Sequence, residues 1–331
     1  MVNPLVSVII PAYQSESTLE RCLESVLAQD YENMEVIVVN NGSSDRTQKI
    51  IEAFAARDTR IKPIYLDINQ KPAGGRNAGI DKAEGEFVAF LDADDEWLPG
   101  KISSQIAMFN LHQDMDLLFT DVHNYDQASG KTTLYSTTNK IFRRGLQLVV
   151  ADENRPLYHV KGPVKKELYL GDFISVSSAM LRRSCLQGTN GFDITCFGTE
   201  DIDFWVRLAD KHHYYYLAEV TTRRYLMSDS TSRITDLHLE ELLRYHKAAL
   251  TSPAYNDMLD IAKRNLFLTY KSMILRYADH WQIGKAWKTY KDSVQYHLNT
   301  NLWIYALLSI FGPIPLKVKT EIINPLLAKI H

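Results

Sequence analysis

The sequence is poor in cysteine: Cys22, Cys185 and Cys196 are all it holds in 331 residues, and no two stand in C-x-x-C spacing. That scarcity excludes a disulfide-framed secreted scaffold and supplies no zinc-binding cysteine pair, so a reducing compartment is expected. Charge of one sign is lacking too. Lys+Arg number 37 against Asp+Glu 40, a formal net charge of -3, which leaves no global positive field to hold nucleic acid. The basic pairs Arg143-Arg144, Lys165-Lys166, Arg182-Arg183 and Arg223-Arg224 read as solvated faces. Long apolar runs are also missing. Leu302 to Phe311 falls short of the ~20 residues that span a bilayer, and Pro313 and Pro315 interrupt the chain just beyond it. It reads as a buried terminal helix. The alternative is peripheral membrane contact through residues 302–319, with Trp303, Tyr305 and Phe311 beside Lys317 and Lys319. Met1 to Pro4 carry no basic n-region or small-residue cleavage site, so a cytoplasmic protein is expected, at most peripheral on the inner face of the membrane.

Two phosphate-binding motifs are absent as well. A dinucleotide site needs G-x-G-x-x-G after the first strand, where this chain has Pro11-Ala12-Tyr13-Gln14-Ser15, and no G-x-x-x-x-G-K-[ST] loop occurs anywhere. A nicotinamide enzyme and a P-loop kinase are therefore disfavoured. What is present is ordinary globular composition, 45% apolar and 23% charged, over a length that suits one large domain and one smaller. Strand and helix signals alternate through the first ~120 residues, the pattern of a parallel sheet covered by helices. Val6 to Ile10, Val36 to Val39, Ile61 to Leu66 and Phe87 to Leu91 read as strands. Leu19, Cys22, Leu23, Val26 and Leu27 mark a helix with a capping box at Ser17 and Glu20, and Gly74-Gly75-Arg76-Asn77 is expected to open another. From Leu117 to about residue 172 the pattern is irregular. Strand signals return at Phe173 to Leu181 and Tyr214-Tyr215-Tyr216, with a helix from Glu200 between them. Beyond Leu237 the pattern is helical, which predicts a boundary near residue 234 and two domains, 1–234 and 235–331.

Asp92-x-Asp94, a DXD motif at the end of the fourth strand, sets two carboxylates on one turn, where they suit Mn²⁺ or Mg²⁺. Such a cation bridges diphosphate oxygens and stabilises a leaving nucleoside diphosphate. The plain reading of the same turn is a cap for the next helix. Glu200-Asp201-x-Asp203 is a second acidic cluster, suited to taking a proton from an acceptor hydroxyl, or merely to the positive end of a helix dipole. Arg76 could reach a pyrophosphate, with Gly74 and Gly75 letting backbone N–H groups approach it. The adjacent His212-His213 does not share a helix face, so no metal site is expected there.

Val6 to Tyr13, Val36 to Asp45, Gly74 to Gly79, Gly85 to Asp95 and Gly191 to Arg207 together resemble the family-2 inverting glycosyltransferases. The resemblance covers about two-thirds of the chain and rests on five motifs in order. It implies an α/β GT-A (Rossmann-like) fold, a mixed, mostly parallel sheet flanked by helices, here with a C-terminal helical extension. It further implies a nucleotide pocket of Pro11, Ala12, Tyr13, Asn41, Arg76 and Asp92, a cation at Asp94, and Asp201 as catalytic base. Glu200 would position that base or the acceptor. The implied partners are a nucleotide-sugar donor, UDP-sugar favoured, and a glycan or lipid-linked acceptor, with self-association compatible. Two positions depart from the family pattern: Asn40-Asn41, where relatives often carry aspartate, and Arg224 to Met227, where many place a histidine. Two rivals stand beside this reading. A sugar-1-phosphate nucleotidyltransferase needs a glycine- and lysine-rich loop where Pro11-Ala12-Tyr13 stands, and a non-catalytic glycan- or partner-binding module does not need both acidic clusters.

Overall fold

Four apolar runs become the strands β1 (Val6–Ala12), β2 (Met34–Asn41), β3 (Ile61–Leu66) and β4 (Phe87–Phe90). They pair in parallel in the order β3-β2-β1-β4. β2 is buried along its whole length and β1 along nearly all of it, which is why these strands read as continuous apolar runs: helices cover both faces. The structure is a computed structural model that describes residues 3–135, 145–171, 173–196, 198–226, 236–296, 298 and 302–308. The expected boundary near residue 234, Arg143-Arg144, Met227 and the part of the terminal stretch beyond residue 308 lie outside them. Contacts divide the chain into two units, Met1–Ser230 and Thr231–His331.

In the first unit the sheet continues past β4 into the irregular stretch. β5 (Glu96–Trp97), β6 (Leu117–Asp126), β7 (Lys131–Tyr135), β8 (Gln147–Asp152), β9 (Leu157–Lys161), β10 (Met180–Arg182) and β11 (Tyr214–Leu226) all join it. The full order is β3-β2-β1-β4-β10-β6-β11-β9-β8, with β5 against β11 and β7 against β6. β10 runs antiparallel to β4 and β6, while β6 and β11 are parallel. The expected strand over Phe173 to Leu181 is shorter than its apolar run suggests. Val176–Ser178 is a 3-10 turn instead, because its carbonyls take hydrogen bonds from side chains of three other elements. The Tyr214-Tyr215-Tyr216 run lies buried at the start of β11, as expected.

The helices α1 (Leu19–Leu27), α2 (Thr47–Arg57), α3 (Lys71–Ile80) and α4 (Lys101–Leu111) return the chain between strands, and α5 (Val164–Leu170) and α6 (Glu200–Leu208) come later. α1 buries Leu19, Cys22, Leu23 and Val26 as the spacing requires. The capping box does not form. Thr18 is the N-cap, no side chain caps the helix, and the Ser15 carbonyl takes the Thr18 and Leu19 N–H groups instead. α3 starts earlier than expected, since Asn69 and Asn41 side chains accept the Lys71 and Gln70 N–H groups. Gly74-Gly75-Arg76-Asn77 therefore lies in the helix interior, with its N–H groups spent on the helix, and the glycines serve packing. A Cβ on Gly75 would sit 2.9 Å from Pro11 Cβ, and one on Gly79 2.4 Å from Ile9 Cγ2. Their absence lets α3 lie directly on β1.

In the second unit α7 (Asp236–Ala249), α8 (Leu259–Asp279), α9 (Ile283–Val294) and α10 (Leu302–Leu308) build a core from Leu239, Leu266, Tyr270, Ile274 and Tyr305. Lys247 Nζ and Tyr270 Oη both donate to Asp292 Oδ2, each at 2.6 Å. Leu302, Tyr305 and Ala306 face this core, while Trp303 and Leu307 are exposed. No helix among the described residues is long and apolar enough to cross a membrane.

Packing makes two outcomes testable. Ile9 is β-branched and held in the sheet, so Gly79→Ala overpacks by ~1–3 kcal/mol against a helix-propensity gain of about 1 kcal/mol. Chemical denaturation should report a net loss, and a stabilised variant would refute the close-packing role. Lys101, at the start of α4, is fully buried with its ammonium on Gln105 Oε1 at 2.6 Å and 4.2 Å from the Trp97 ring. Burial lowers its pKa from 10.5 to about 7. The unfolded chain then holds one more proton between those values, so the penalty is full below pH 7 and fades as pH rises. Between pH 7.5 and 9.5 the wild type should gain ~1.4 kcal/mol per pH unit relative to Lys101→Met. Parallel stability–pH curves would refute this.

Candidate active site

The carboxyl ends of β1, β2 and β4 bring Pro11-Ala12-Tyr13, Asn41 and Asp92-Ala93-Asp94-Asp95 to one edge of the parallel block, the edge where open sheets bind ligands. α3 lays Arg76 beneath that edge, only 4% exposed. Its Nη2 donates to Asp92 Oδ1 at 2.7 Å and its Nη1 to Glu200 Oε1 at 2.9 Å. One guanidinium thus joins the DXD turn to the first residue of α6. Next to it Asn77 clamps the intervening turn, donating from Nδ2 to the Phe192 carbonyl and accepting the Phe192 N–H, both at 2.8 Å. Burial opposes the charge on Arg76, but Asp92, Glu200 and Asp201 outweigh it and raise its pKa. Arg76 Nε and Glu200 Oε2 are buried with no hydrogen-bond partner among the described residues. Asp201 is half-buried beside them, its Oδ1 accepting the Ile202 N–H at 2.8 Å.

The DXD turn crowds three carboxylates. Desolvation within the crevice, then the Asp92 charge, push Asp94 up to about 6 although its side chain is exposed at the crevice, with Arg21 and Arg224 acting the other way. Burial, Asp94 and Asp92 raise Asp95 well above the carboxylate range. Arg21 steadies the turn by donating from Nη2 to the Asp94 carbonyl at 2.8 Å, its guanidinium 3.6 Å above the Tyr225 ring. Such a set of hard oxygen donors, too close to be ionised together without help, has the chemistry of a divalent-cation site.

The chain matches the sequence family described as Glycosyl transferase family 2 over residues 7–186, more than half its length. The chain belongs to that family. The UDP-Glc:alpha-D-GlcNAc-diphosphoundecaprenol beta-1,3-glucosyltransferase WfgD of Escherichia coli is 41% identical over 108 residues, covering 33% of this chain and 42% of that protein. The chain spans about half the length of the curated relatives it matches. Among solved structures, the mannosyltransferase PcManGT of Pyrobaculum calidifontis in complex with GDP-Man and Mn²⁺ aligns with a TM-score of 0.57 at 16% identity, covering 94% of this chain and 87% of that one. S. aureus TarS 1-349 in complex with UDP-GlcNAc aligns with a TM-score of 0.55 at 21% identity, covering 82% and 72%. These likenesses give the fold, the GT-A arrangement.

Against that family pattern the other expected residues divide. Tyr13 is 48% exposed at the edge, whereas Ala12 is fully buried and Pro11 packs on α3. Asn41 is buried, with Nδ2 donating to the Lys71 carbonyl and Oδ1 accepting the Gln70 N–H, each at 2.9 Å. Its amide holds the approach to α3. β11 presents Arg224, close enough for its charge to act on Asp94 and Asp95. The sequence did not single out Arg21 or Ser177, because one sits on an amphipathic helix and the other in an apolar run. Away from this edge, Asp116, Cys185 and His212 have ligand atoms within 4.8 Å of one another. Burial and Asp116 push the Cys185 thiol up to about 12, so it sits there as a weak donor to Asp116.

Removing the guanidinium strands Glu200 in the interior. Arg76→Ala should lose ~3–5 kcal/mol of stability, the usual result of breaking a buried pair from one side. A loss below about 1 kcal/mol in urea denaturation would mean that Glu200 escapes to water and that the bridge does not organise the site.

Proposed function

We propose that this family-2 protein is an inverting glycosyltransferase that moves a sugar from a UDP-sugar to a hydroxyl of a glycan or lipid-linked acceptor. The observation that carries the reading is the Arg76 bridge, which holds the DXD turn and the acidic start of α6 on either side of one guanidinium. In this reading Asp201 is the catalytic base. It takes the proton of the acceptor hydroxyl as that oxygen bonds to the anomeric carbon, while the bond to the nucleoside diphosphate breaks on the opposite face. Glu200, held by Arg76, positions the base and the acceptor. Tyr13, Pro11 and Ala12 line the nucleotide pocket, Asn41 shapes its floor, and Asp92 and Arg76 meet the ribose and diphosphate side. Asp94 is the cation ligand. A bound Mn²⁺ or Mg²⁺ ion would neutralise the crowded carboxylates and the charge that builds on the departing diphosphate.

Support for UDP comes from TarS, solved with UDP-GlcNAc, and for a lipid-linked acceptor from the diphosphoundecaprenol substrate in the WfgD name. Support for the cation comes from the Mn²⁺ complex of PcManGT. Such an acceptor would bring the protein to the cytoplasmic face of a membrane, where exposed Trp303 and Leu307 suit the interface. The 1–234 and 235–331 division gives the first part catalysis and the second acceptor, membrane or self-association contacts.

The test is release of UDP from a panel of UDP-sugars with Mn²⁺, with and without lipid-linked acceptors. Asp201→Asn should lower kcat by ~10²–10⁴-fold while UDP still binds, and Asp94→Ala should abolish cation-dependent turnover. No release from any donor, or both variants matching wild type, would overturn the proposal.

A further inference from the structure

The 3-10 turn Val176–Ser178 is buried throughout, and its polar groups are arranged around Ser177. The Ser177 hydroxyl accepts the Asp92 N–H at 3.2 Å and donates to Asp95 Oδ2 at 2.6 Å. Both ends of the DXD turn therefore meet on one oxygen atom. The turn is also closed on itself, Asp95 N–H to the Asp92 carbonyl at 3.0 Å. Asp94 lies between the two tethered residues and is the carboxylate that this closure displays.

The tether is itself anchored. The Ser177 carbonyl accepts Trp97 Nε1 at 2.8 Å and Thr222 Oγ1 at 3.2 Å, and the Ser178 carbonyl accepts Gln105 Nε2 at 3.1 Å. Those donors come from β5, β11 and α4. A serine whose hydroxyl and carbonyl are both committed inside the core has no freedom to swing, so the Asp92 N–H and the Asp95 carboxylate are held at fixed points. Asp95 is only 2% exposed, in contrast to Asp94. Its Oδ2 takes the Ser177 hydroxyl.

We infer that Ser177 and Asp95 are positioning residues for the cation site: their hydrogen bond sets the turn so that Asp94 faces the diphosphate before a cation arrives. This rests on the functional reading above. Groups behind metal ligands commonly change metal affinity by ~10–100-fold when removed, and the same range is expected for this pair.

The experiment is calorimetry of UDP binding to the full chain at increasing Mn²⁺, beside the Mn²⁺ dependence of turnover. Ser177→Ala should raise half-saturating Mn²⁺ by ~10–100-fold while kcat at saturating Mn²⁺ changes by less than about threefold. Ser177→Thr keeps the hydroxyl and should restore the wild-type constant. Thr222→Val loses a hydrogen bond to the same serine's carbonyl but leaves the hydroxyl tether, so it should lower stability and leave the Mn²⁺ constant alone. Should Ser177→Ala fail to fold, Asp95→Leu removes the acceptor of the same bond at similar size and should shift Mn²⁺ in the same direction. Wild-type Mn²⁺-dependent binding with an unchanged constant in the folded variants overturns this inference alone. A Thr222→Val shift as large as that of Ser177→Ala would also overturn it, by making the effect general loosening. Wild type that binds no UDP at any Mn²⁺ concentration overturns the functional reading with it.

Discussion

The arrangement depends on one buried cation. Arg76 sits 4% exposed between Asp92 and Glu200, residues 16 and 124 positions away along the chain. A guanidinium in that position is tolerable only while both carboxylates stay, since an unpaired buried ion costs several kcal/mol. Three elements are thereby fixed together: the α3 interior, the turn after β4 and the first residue of α6. The close approach of α3 to β1 at Gly75 and Gly79 is what brings the arginine down to the strand ends, so the glycines and the bridge are parts of one constraint. Neither would position the crevice without the other.

That constraint also explains the electrostatics of the edge. Asp92, Asp94, Asp95, Glu200 and Asp201 gather where Arg76 is already committed and where Arg21 and Arg224 are the other cations whose charge is felt at Asp94. Asp94 rises to about 6 because desolvation and then the neighbouring Asp92 charge both disfavour its ionised form. An anionic diphosphate would meet repulsion in such a crevice unless a divalent ion came with it, so cation and nucleotide should bind as a pair rather than separately. The pull of Arg21 and Arg224 is in the opposite sense and too weak to cancel the crowding.

How far the sequence foretold this divides along a physical line. β1, β2 and β4 were readable because burial on both faces forces uninterrupted apolar runs, and α6 was readable because its acidic first turn precedes Phe204, Trp205 and Leu208 at helical spacing. The strands between residues 117 and 172 were not, since β8 at the sheet's edge carries exposed Val149 and Val150 beside polar residues and obeys no burial rule. The site residues on motifs were legible by type, but not the bonds they make to the rest of the protein. Arg76 was legible as a residue of the crevice, but not the engagement of its two Nη atoms with Asp92 and Glu200. Asn41 was legible as a strand-end residue of the expected pocket, but not its bonds to the backbone before α3. Sequence spacing cannot distinguish a side chain aimed at a ligand from one aimed at the protein, because both need the same residue at the same strand end. Ser177 could not be found at all: its signal is a serine in a run of apolar residues, and what makes it matter is a pair of hydrogen bonds closed across 82 and 85 positions.

The family match ends at residue 186, before α6 begins at Glu200, yet Glu200 is half of the Arg76 bridge. The site is therefore assembled across the limit of the most recognisable segment. The same holds for β11, which lies past that limit and supplies Thr222 to the Ser177 carbonyl and Tyr225 to Arg21. A segment cut at residue 186 would keep the strand ends and the DXD turn but lose Glu200, one of the two Arg76 counter-ions, and one anchor of the tether beneath Asp92. Buried charge makes that loss severe: the residues after 186 are required for the first half of the site to hold its shape, whatever they also do toward an acceptor.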